Sequence, residues 1–297
     1  MKFWGVFREI ATNYFSYYFK VDKSKITFDS KSGGDHLGVI AKIETETGQK
    51  KYYVKTHSEG LQSQYSSGAR TLNPRELAVY KILEYLEIGC ETHFFGRDLK
   101  NFYIATKDAK SIEYGHDFDT YGNLTKNAIE PKEIEDGLTI LDLISRIMRL
   151  SDLQTNPGNF GFSSTMGGYI VRAMDFKVAN DDMSYKTGED HFRGLLEGNG
   201  TFNYGADKLI NFVLREQDIT LRIARAKKVF NSKFGNYKKA LELAYKGVYN
   251  ALHNTIKKDV SNLEALEKTL KNYLQDIEDN FEFFQEKLNK PMAENLA

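Results

Sequence analysis

The sequence predicts an α+β chain with a small, sheet-rich first part and a helical remainder. Between residues 25 and 57, three short β-prone segments follow one another, separated by polar or glycine-containing turns, which is the pattern of an antiparallel meander. One helix and two further strands come next, and from residue 206 onward apolar residues recur at helical spacing. A chain in which the strands come first and the helices follow predicts an α+β architecture.

The first part contains a helix on either side of the meander. An aromatic-rich stretch at residues 3–19 has roughly helical spacing and is interpreted as a helix packed on the core. Asn73 is a good N-cap for the next helix, Pro74 suits its first turn, and Glu76 complements the helix dipole. The strands are predicted at Ile26–Phe28, Gly38–Ile43, Tyr52–Lys55, Thr92–Phe95 and Phe102–Thr106.

The second part is predicted to be mostly helical. Residues 107–134 are polar and irregular and are interpreted as a surface insertion, whereas residues 138–150 form a strongly apolar helix. A loop at 151–158 then leads to a hairpin of two strands, 159–162 and 169–174. Near the end of the chain, two apolar helical faces are expected to pack as an antiparallel pair; the faces consist of residues 237, 241, 244, 248, 252 and 256, and of residues 263, 266, 270, 274, 277, 281, 284 and 288.

The bulk properties exclude several classes of protein. Lys plus Arg equals Asp plus Glu, 41 each, so no global field favours nucleic acid. The single cysteine, Cys90, excludes a disulfide framework. Arg8 and Glu9 interrupt the aromatic N-terminal stretch, which argues against a signal peptide. No apolar run approaches the roughly 20 residues of a membrane span, so a cytoplasmic protein is expected.

Five polar residues, in four elements of the sequence, stand where phosphoryl-transfer chemistry could use them. Lys55 ends a predicted strand, Glu76 lies on the next helix, Asp152 and Asn159 lie in the loop after the apolar helix, and Asp175 follows the hairpin. A lysine can neutralise phosphate charge, carboxylate and amide oxygens can hold Mg²⁺, and an aspartate can take the proton of an acceptor hydroxyl. None of these residues is specific alone, but their order and structural contexts are hard to obtain by accident.

The four elements together resemble the protein kinase superfamily, over roughly residues 25–180. The resemblance implies a two-lobed kinase-like fold with a small antiparallel-sheet N-lobe, a helical C-lobe and a C-terminal helical pair. It divides the chain into an N-terminal helical extension (1–24), an N-lobe (25–109), a C-lobe with the catalytic and metal-binding loops (110–205) and a helical C-terminal region (206–297). The motif at residues 156–162, Asn-Pro-Gly-Asn-Phe-Gly-Phe, looks most like the motifs of the lipid-kinase, toxin-kinase and bacterial-effector branches.

The resemblance also implies ATP and Mg²⁺ (or Mn²⁺) as cofactors. Lys55 would bind the nucleotide phosphates, Glu76 would fix that lysine, and Asp152 would act as the catalytic base. Asn159 and Asp175 would hold the metal. The glycines Gly33 and Gly34 would belong to the loop that covers the nucleotide.

The sequence departs from the family pattern at several of these positions. The glycine-rich motif is not intact, because Asp35 follows Gly33 and Gly34, and Leu150-Ser151-Asp152 replaces the family's His-Arg-Asp. Asp152 and Asn159 are seven residues apart, wider than the common spacing, so Asn156 remains an alternative for one of the two roles. Lys177 stands where the family has glycine after Asp-Phe.

The function expected from the resemblance is that of an atypical protein kinase acting on a Ser, Thr or Tyr hydroxyl of a protein. In its divergence, compactness and aromatic, Lys- and Asn-rich composition, the sequence resembles bacterial effector kinases that act inside a host cell. One branch of these kinases is activated by inositol hexakisphosphate. Two alternatives remain open: a lipid or small-molecule kinase, and a catalytically inactive pseudokinase that serves as a binding module.

A basic segment near the end of the chain offers a second candidate site. Residues 222–258 contain ten Lys or Arg residues and one acid, Glu242, whereas the segment that follows is acidic. One interpretation is a solvated face balanced by the acidic helix. The other is an anion site for an inositol polyphosphate or phosphoinositide, formed by Arg225, Lys227, Lys228, Lys233, Lys238 and Lys239.

Overall fold

The computed structural model describes residues 2–30, 38–57, 72–109, 112–114, 129–153, 157–178, 188–198, 219–256 and 260–291. The described residues divide into two compact units. Unit 1 contains residues 1–84, 90–108 and 243–272, and unit 2 contains residues 85–89, 109–242 and 273–297. Each unit therefore draws on separate parts of the chain. The domain bounds that the sequence suggests stay a prediction.

Unit 1 is built on a five-stranded antiparallel sheet with the strand order β1-β2-β3-β5-β4. All five predicted strands and both predicted helices are present, with ends that differ by a few residues. Their bounds are α1 Lys2–Phe19, β1 Ile26–Ser30, β2 Gly38–Thr45, β3 Gly48–Thr56, α2 Pro74–Tyr85, β4 Thr92–Gly96 and β5 Phe102–Lys107.

Helix α1 packs on the sheet through one aromatic face. Phe7, Ala11 and Phe15 recur every fourth residue and are all buried, as the helical period requires of a face that contacts a core. The rings of Phe7 and Tyr103 meet edge to face at 4.5 Å, and the ring of Phe15 lies 5.3 Å from that of Tyr52. The aromatic stretch is thus a core helix, as its spacing predicts.

A polar network on the same sheet holds one carboxylate in three hydrogen bonds. Glu91 accepts from the Tyr52 hydroxyl at 2.7 Å, from His93 Nε2 at 3.0 Å and from Lys107 Nζ at 2.6 Å, and Tyr14 of α1 bonds the other ring nitrogen of His93 at 3.0 Å. The hydrogen bond from His93, aided by those from Lys107 and Tyr52, holds the pKa of Glu91 well below its ordinary value of 4.5. Glu91 therefore stays ionised in the folded protein under mildly acidic conditions.

This network predicts a specific loss of stability in acid. A carboxyl whose folded pKa is depressed stabilises the protein above its unfolded pKa, and this contribution is lost as the pH falls toward the folded pKa. Since about a third of the Glu91 side chain is exposed, solvent screening reduces the expected contribution to about 1 kcal/mol between about pH 5 and pH 3. The free energy of unfolding, measured by urea titration, should fall less over this window in Glu91→Gln; equal slopes for the two proteins would contradict the prediction.

Unit 2 contains small sheets and several helices. Its elements are β6 Ile112–Tyr114, α3 Pro131–Met148, β7 Leu150–Ser151, β8 Phe160–Thr165, β9 Gly168–Ala173, β10 Lys177–Val178, α4 Gly188–Glu197 and α5 Ile219–Lys233. The predicted hairpin is β8–β9, and β6 pairs with its β8 edge. The short strand β10 pairs with β7 in antiparallel register, with Lys177 opposite Ser151.

Two expectations for this region need correction. The apolar helix begins at Pro131 rather than at 138, because its first turn is stabilised by polar contacts that an apolar pattern does not contain. Glu133 accepts the backbone N–H of Glu130 at 3.4 Å and that of Tyr169 at 3.0 Å. The predicted insertion at 107–134 includes strand β6 and the start of this helix, so it is not irregular throughout.

The last two helices are α6 Tyr237–Thr255 and α7 Val260–Asn289. They run antiparallel, since Lys238 bonds Glu282 and His253 bonds Glu267. Every residue of the two predicted apolar faces is buried, so the predicted helical pair is confirmed. Among the residues that the structure describes, no helix combines the length and the apolarity needed to cross a lipid bilayer.

Candidate functional site

The predicted phosphate-binding lysine lies in unit 1. Lys55 is the penultimate residue of β3 and pairs with Gly38 on one side and Ile104 on the other. Only 9% of the residue is exposed, and its Nζ lies 5.4 Å from the centre of the Tyr80 ring on α2. Lys55 is therefore not the exposed surface lysine that a Val-Lys at the end of a strand usually is.

Glu76 lies in the first turn of α2, in the same unit as Lys55. It is 1% exposed, although a glutamate that only complements a helix dipole normally lies in solvent. Burying an ammonium or a carboxylate is costly unless the charge is compensated. The structure thus places two buried, oppositely charged groups in unit 1 at the positions predicted for a nucleotide-binding pair.

In unit 2, the side chain of Asn159 organises the predicted catalytic loop. Asn159 is 7% exposed, and its Nδ2 donates a hydrogen bond of 2.8 Å to the backbone carbonyl of Asp152. Because this bond uses the amide nitrogen, the amide oxygen Oδ1 is the atom of Asn159 suited to a cation. The wider spacing of seven residues is therefore compatible with direct contact between Asn159 and the Asp152 backbone.

Asn159 also fixes the segment that carries the second predicted metal ligand. Its backbone carbonyl accepts the N–H of Met174 at 2.8 Å and that of Asp175 at 3.3 Å. The next residue, Phe176, is 2% exposed and donates its N–H to Asp175 Oδ1 at 3.0 Å. Asn159 and Asp175 are thus tied together through the main chain, with a buried aromatic anchor beside them.

Asp152 has an unusual backbone conformation. Its φ is +70°, in the left-handed region that residues other than glycine rarely adopt. The hydrogen bond from Asn159 holds its carbonyl, and Lys177 Nζ lies 3.2 Å from its Oδ2. Backbone strain of this kind persists where the surroundings hold the residue in place, and it is concentrated at functional sites.

An amide oxygen from Asn159 and a carboxylate from Asp175 are chemically suited to a magnesium ion. Mg²⁺ is commonly held by one or two carboxylates together with water and substrate phosphates, rather than by a protein cage. Within the described ranges, no group of three or more His, Cys, Asp or Glu side chains is arranged to hold a metal. A site with two protein ligands, completed by nucleotide phosphates, is a different kind of site and needs only what Asn159 and Asp175 offer.

Three predicted residues lie outside the described residues. These are Gly33 and Gly34 of the glycine-containing loop, and Asn156, the alternative to Asp152 or Asn159. Their predicted roles stay predictions.

Four cations of the predicted anion site contact carboxylates instead. In unit 2, Arg225 pairs with Glu135 at 2.8 Å and Lys228 with Asp136 at 2.7 Å, both on α3. Lys238 bonds Glu282 at 2.6 Å and Lys239 bonds Glu242 at 2.9 Å. This arrangement favours the alternative interpretation, a face balanced by acids.

The two remaining cations of that set differ from each other in their surroundings. Lys233 is half-buried, and burial lowers its pKa. Lys227 lies on α5, half-exposed. The anion site remains a prediction.

Sequence reasoning did not predict the contact that Lys177 makes. It noted this lysine only as a departure from the glycine of the family pattern, whereas the structure places its ammonium group against the carboxylate of Asp152. The signal in the sequence was the charge itself, two residues after a predicted metal ligand, but its partner depends on the β7–β10 pairing.

Comparisons with known proteins identify similar solved structures but no family. No protein-family model matches the chain, and no curated protein matches it significantly. Similar solved structures include the proinflammatory kinase CtkA of Helicobacter pylori (13% identity, 90% of this chain and 97% of that chain, TM-score 0.44) and the MAP kinase LmaMPK10 of Leishmania major (13% identity, 97% and 89%, TM-score 0.28). Because both TM-scores are below 0.5, the α+β fold is described from the element order and contacts of the chain itself.

Proposed function

We propose that the chain is an ATP-dependent phosphotransferase that moves the γ-phosphate of ATP to a hydroxyl group of a protein, with Mg²⁺ as the metal. The observation that carries the proposal is the pair of ties made by Asn159, whose side chain binds the Asp152 carbonyl and whose carbonyl binds the Asp175 N–H. These ties bring a candidate base and two candidate metal ligands into one hydrogen-bonded assembly, which local sequence alone does not require.

Each residue has a defined role in the proposed reaction. Asn159 Oδ1 and the Asp175 carboxylate would hold Mg²⁺, which neutralises charge on the phosphates. Lys55 would contact the nucleotide phosphates, with the buried Glu76 as its counter-charge. Asp152 would accept the proton of the acceptor hydroxyl while the hydroxyl oxygen forms a bond to the γ-phosphorus. The bond between the γ-phosphorus and the β–γ bridging oxygen would break, and ADP would leave with that oxygen.

Nucleotide binding is the first test of the proposal. ATP with Mg²⁺ should raise the melting temperature by about 4 °C or more when the nucleotide is present at about 100 times its dissociation constant, because a ligand that binds only the folded state stabilises it by mass action. ATP with EDTA should give a much smaller shift, since Asn159 and Asp175 act through the metal. Differential scanning fluorimetry measures both conditions, and the absence of any shift with millimolar ATP and Mg²⁺ would refute nucleotide binding.

The base can be separated from the nucleotide site by mutation. Asp152→Ala should lower the rate of phosphate transfer on the order of 10²-fold, because a general base is lost. The stabilisation by ATP and Mg²⁺ should persist, because the base acts on the acceptor. If Asn156→Ala has this effect and Asp152→Ala does not, the base is assigned to the wrong residue. Transfer is measured with labelled ATP as autophosphorylation.

The same assay distinguishes the alternative functions. A lipid or small-molecule kinase would bind ATP and label such acceptors but not protein, whereas a pseudokinase would bind nucleotide without transferring phosphate. Activation by an inositol polyphosphate and action as an effector inside a host cell are finer proposals from the same resemblance. Addition of inositol hexakisphosphate to the assay tests the first of these directly.

A further inference from the structure

We infer that Lys177 is a positioning residue for the candidate base, and that it holds the Asp152 carboxylate in the orientation needed to receive the acceptor proton. This inference rests on the proposed function and extends it to a residue that the family pattern would make a glycine. The observation that carries it is the contact of 3.2 Å between Lys177 Nζ and Asp152 Oδ2.

The position of Lys177 is set by its backbone. Strand β10 pairs with β7, and in this register Lys177 lies opposite Ser151, the residue just before Asp152. A lysine at this point needs no long reach to contact the Asp152 carboxylate. The β7–β10 pairing fixes the position of the Lys177 backbone, and this position brings the side chain close to Asp152.

Contacts hold Asp152 on both its main chain and its side chain. Asn159 Nδ2 binds its carbonyl at 2.8 Å, and Lys177 binds its carboxylate. Both partners adjoin the candidate metal ligand Asp175, because the Asn159 carbonyl accepts the Asp175 N–H and Lys177 lies two residues further on. The base and the metal-binding segment are thus linked by a main-chain tie and an ion pair, which suits a reaction whose rate depends on the placement of the reacting groups.

The exposure of the pair argues against a purely structural role. The side chains of Lys177 and Asp152 are 61% and 31% exposed, and an ion pair as open to solvent as this contributes little to stability. Its loss should therefore leave the fold intact and appear in the rate of transfer. A variant of Lys177 can therefore be tested for activity while its stability stays unchanged.

The test compares Lys177→Met with Lys177→Arg and with a control, Lys290→Met, which removes a half-exposed lysine paired with Glu286 at the end of α7. Lys177→Met should lower kcat by about 10-fold and leave KM for ATP within about 2-fold, because the lysine acts on the base and not on the nucleotide. Lys177→Arg should recover most of the loss, and Lys290→Met should match the wild type. The affinity for a fluorescent ADP analogue with Mg²⁺ and the melting temperature should not change in any variant.

A double-mutant cycle decides whether Lys177 acts through Asp152. In an Asp152→Asn background, Lys177→Met should change kcat by less than about 2-fold, because the carboxylate that it positions has been removed. Multiplicative effects, a wild-type kcat for Lys177→Met, or a loss confined to KM would each overturn the inference while the proposed function stands. A wild-type protein that binds ATP and Mg²⁺ but transfers no phosphate to any acceptor would instead refute the proposed function, and the inference with it.

Discussion

An Asp175→Ala variant is expected to lose phosphate transfer on the order of 10³-fold or more, because it removes the only carboxylate among the two proposed metal ligands. Asn159 alone offers one neutral amide oxygen, which binds Mg²⁺ weakly compared with a carboxylate. The variant should also lose the metal-dependent part of the thermal stabilisation by ATP. Transfer of labelled phosphate and scanning fluorimetry, each with and without Mg²⁺, measure the two effects.

The control for this variant is Asp279→Ala, which removes an exposed carboxylate of α7 that accepts a hydrogen bond from Gln275. It should behave as the wild type in both assays. Asp175→Ala should remain folded, because the hydrogen bonds of the Asp175 and Met174 N–H groups to Asn159 involve only the backbone. Retention of more than a tenth of the wild-type activity would contradict the assignment of Asp175 as a metal ligand.

An Arg146→Met variant is expected to destabilise the protein by about 3–5 kcal/mol, because it leaves the buried carboxylate of Asp142 without its cation. Asp142 and Arg146 are 3% and 2% exposed, and Arg146 Nε donates to Asp142 Oδ2 at 2.8 Å. Arg146 Nη1 also donates to the carbonyl of His191 at 2.8 Å, so the substitution weakens the attachment of α4 to α3. Urea denaturation followed by circular dichroism measures the change in the free energy of unfolding.

Two further variants show whether burial is the cause. Arg193→Met removes one member of an exposed pair with Asp190 and should cost at most about 1 kcal/mol. The double variant Asp142→Leu with Arg146→Met should recover much of the stability, since replacing both members of a buried pair by apolar residues is often neutral. A cost for Arg146→Met no larger than that for Arg193→Met would show that the pair is not energetically coupled to the core.

Side-chain periodicity predicted the helices and strands that bury a continuous face. The faces of α6 and α7 were predicted residue by residue, because a 3.6-residue period and burial select the same positions. Strand β6 was missed because it has three residues and is defined by backbone pairing with β8, which no period-2 pattern can reveal over such a length. The first two turns of α3 were missed because Glu133 stabilises them through backbone N–H groups.

The residue types of the candidate site were predictable, but the contacts among them were not. The bond between Asn159 and the Asp152 carbonyl depends on a left-handed backbone at Asp152, and composition gives no sign of this conformation. The ion pairs of the basic segment could not be predicted for another reason. Lys228 and Asp136 are 92 residues apart in the chain, so a count of local charges could not show that they neutralise each other.

The two units are made of alternating segments of the chain, which limits the fragments that could fold on their own. Residues 243–272 belong to unit 1 although residues 109–242 and 273–297 belong to unit 2. In unit 1, α6 packs beside α2 and against the end of β4: a Cβ at Gly247 would lie 3.6 Å from Lys81 Cγ, and one at Gly96 would lie 3.1 Å from Thr255 Cγ2. A fragment that ends at residue 109 would lack this helix and expose the surface that it covers.

During synthesis, the first unit therefore cannot complete its packing until most of the second has left the ribosome. Its closing contacts join parts of the chain more than 150 residues apart, and such distant contacts slow folding. A continuous segment of the chain cannot contain either unit without part of the other, so a segment cut to one unit would have an incomplete core. A loss of activity in a deletion variant is therefore expected to result first from misfolding.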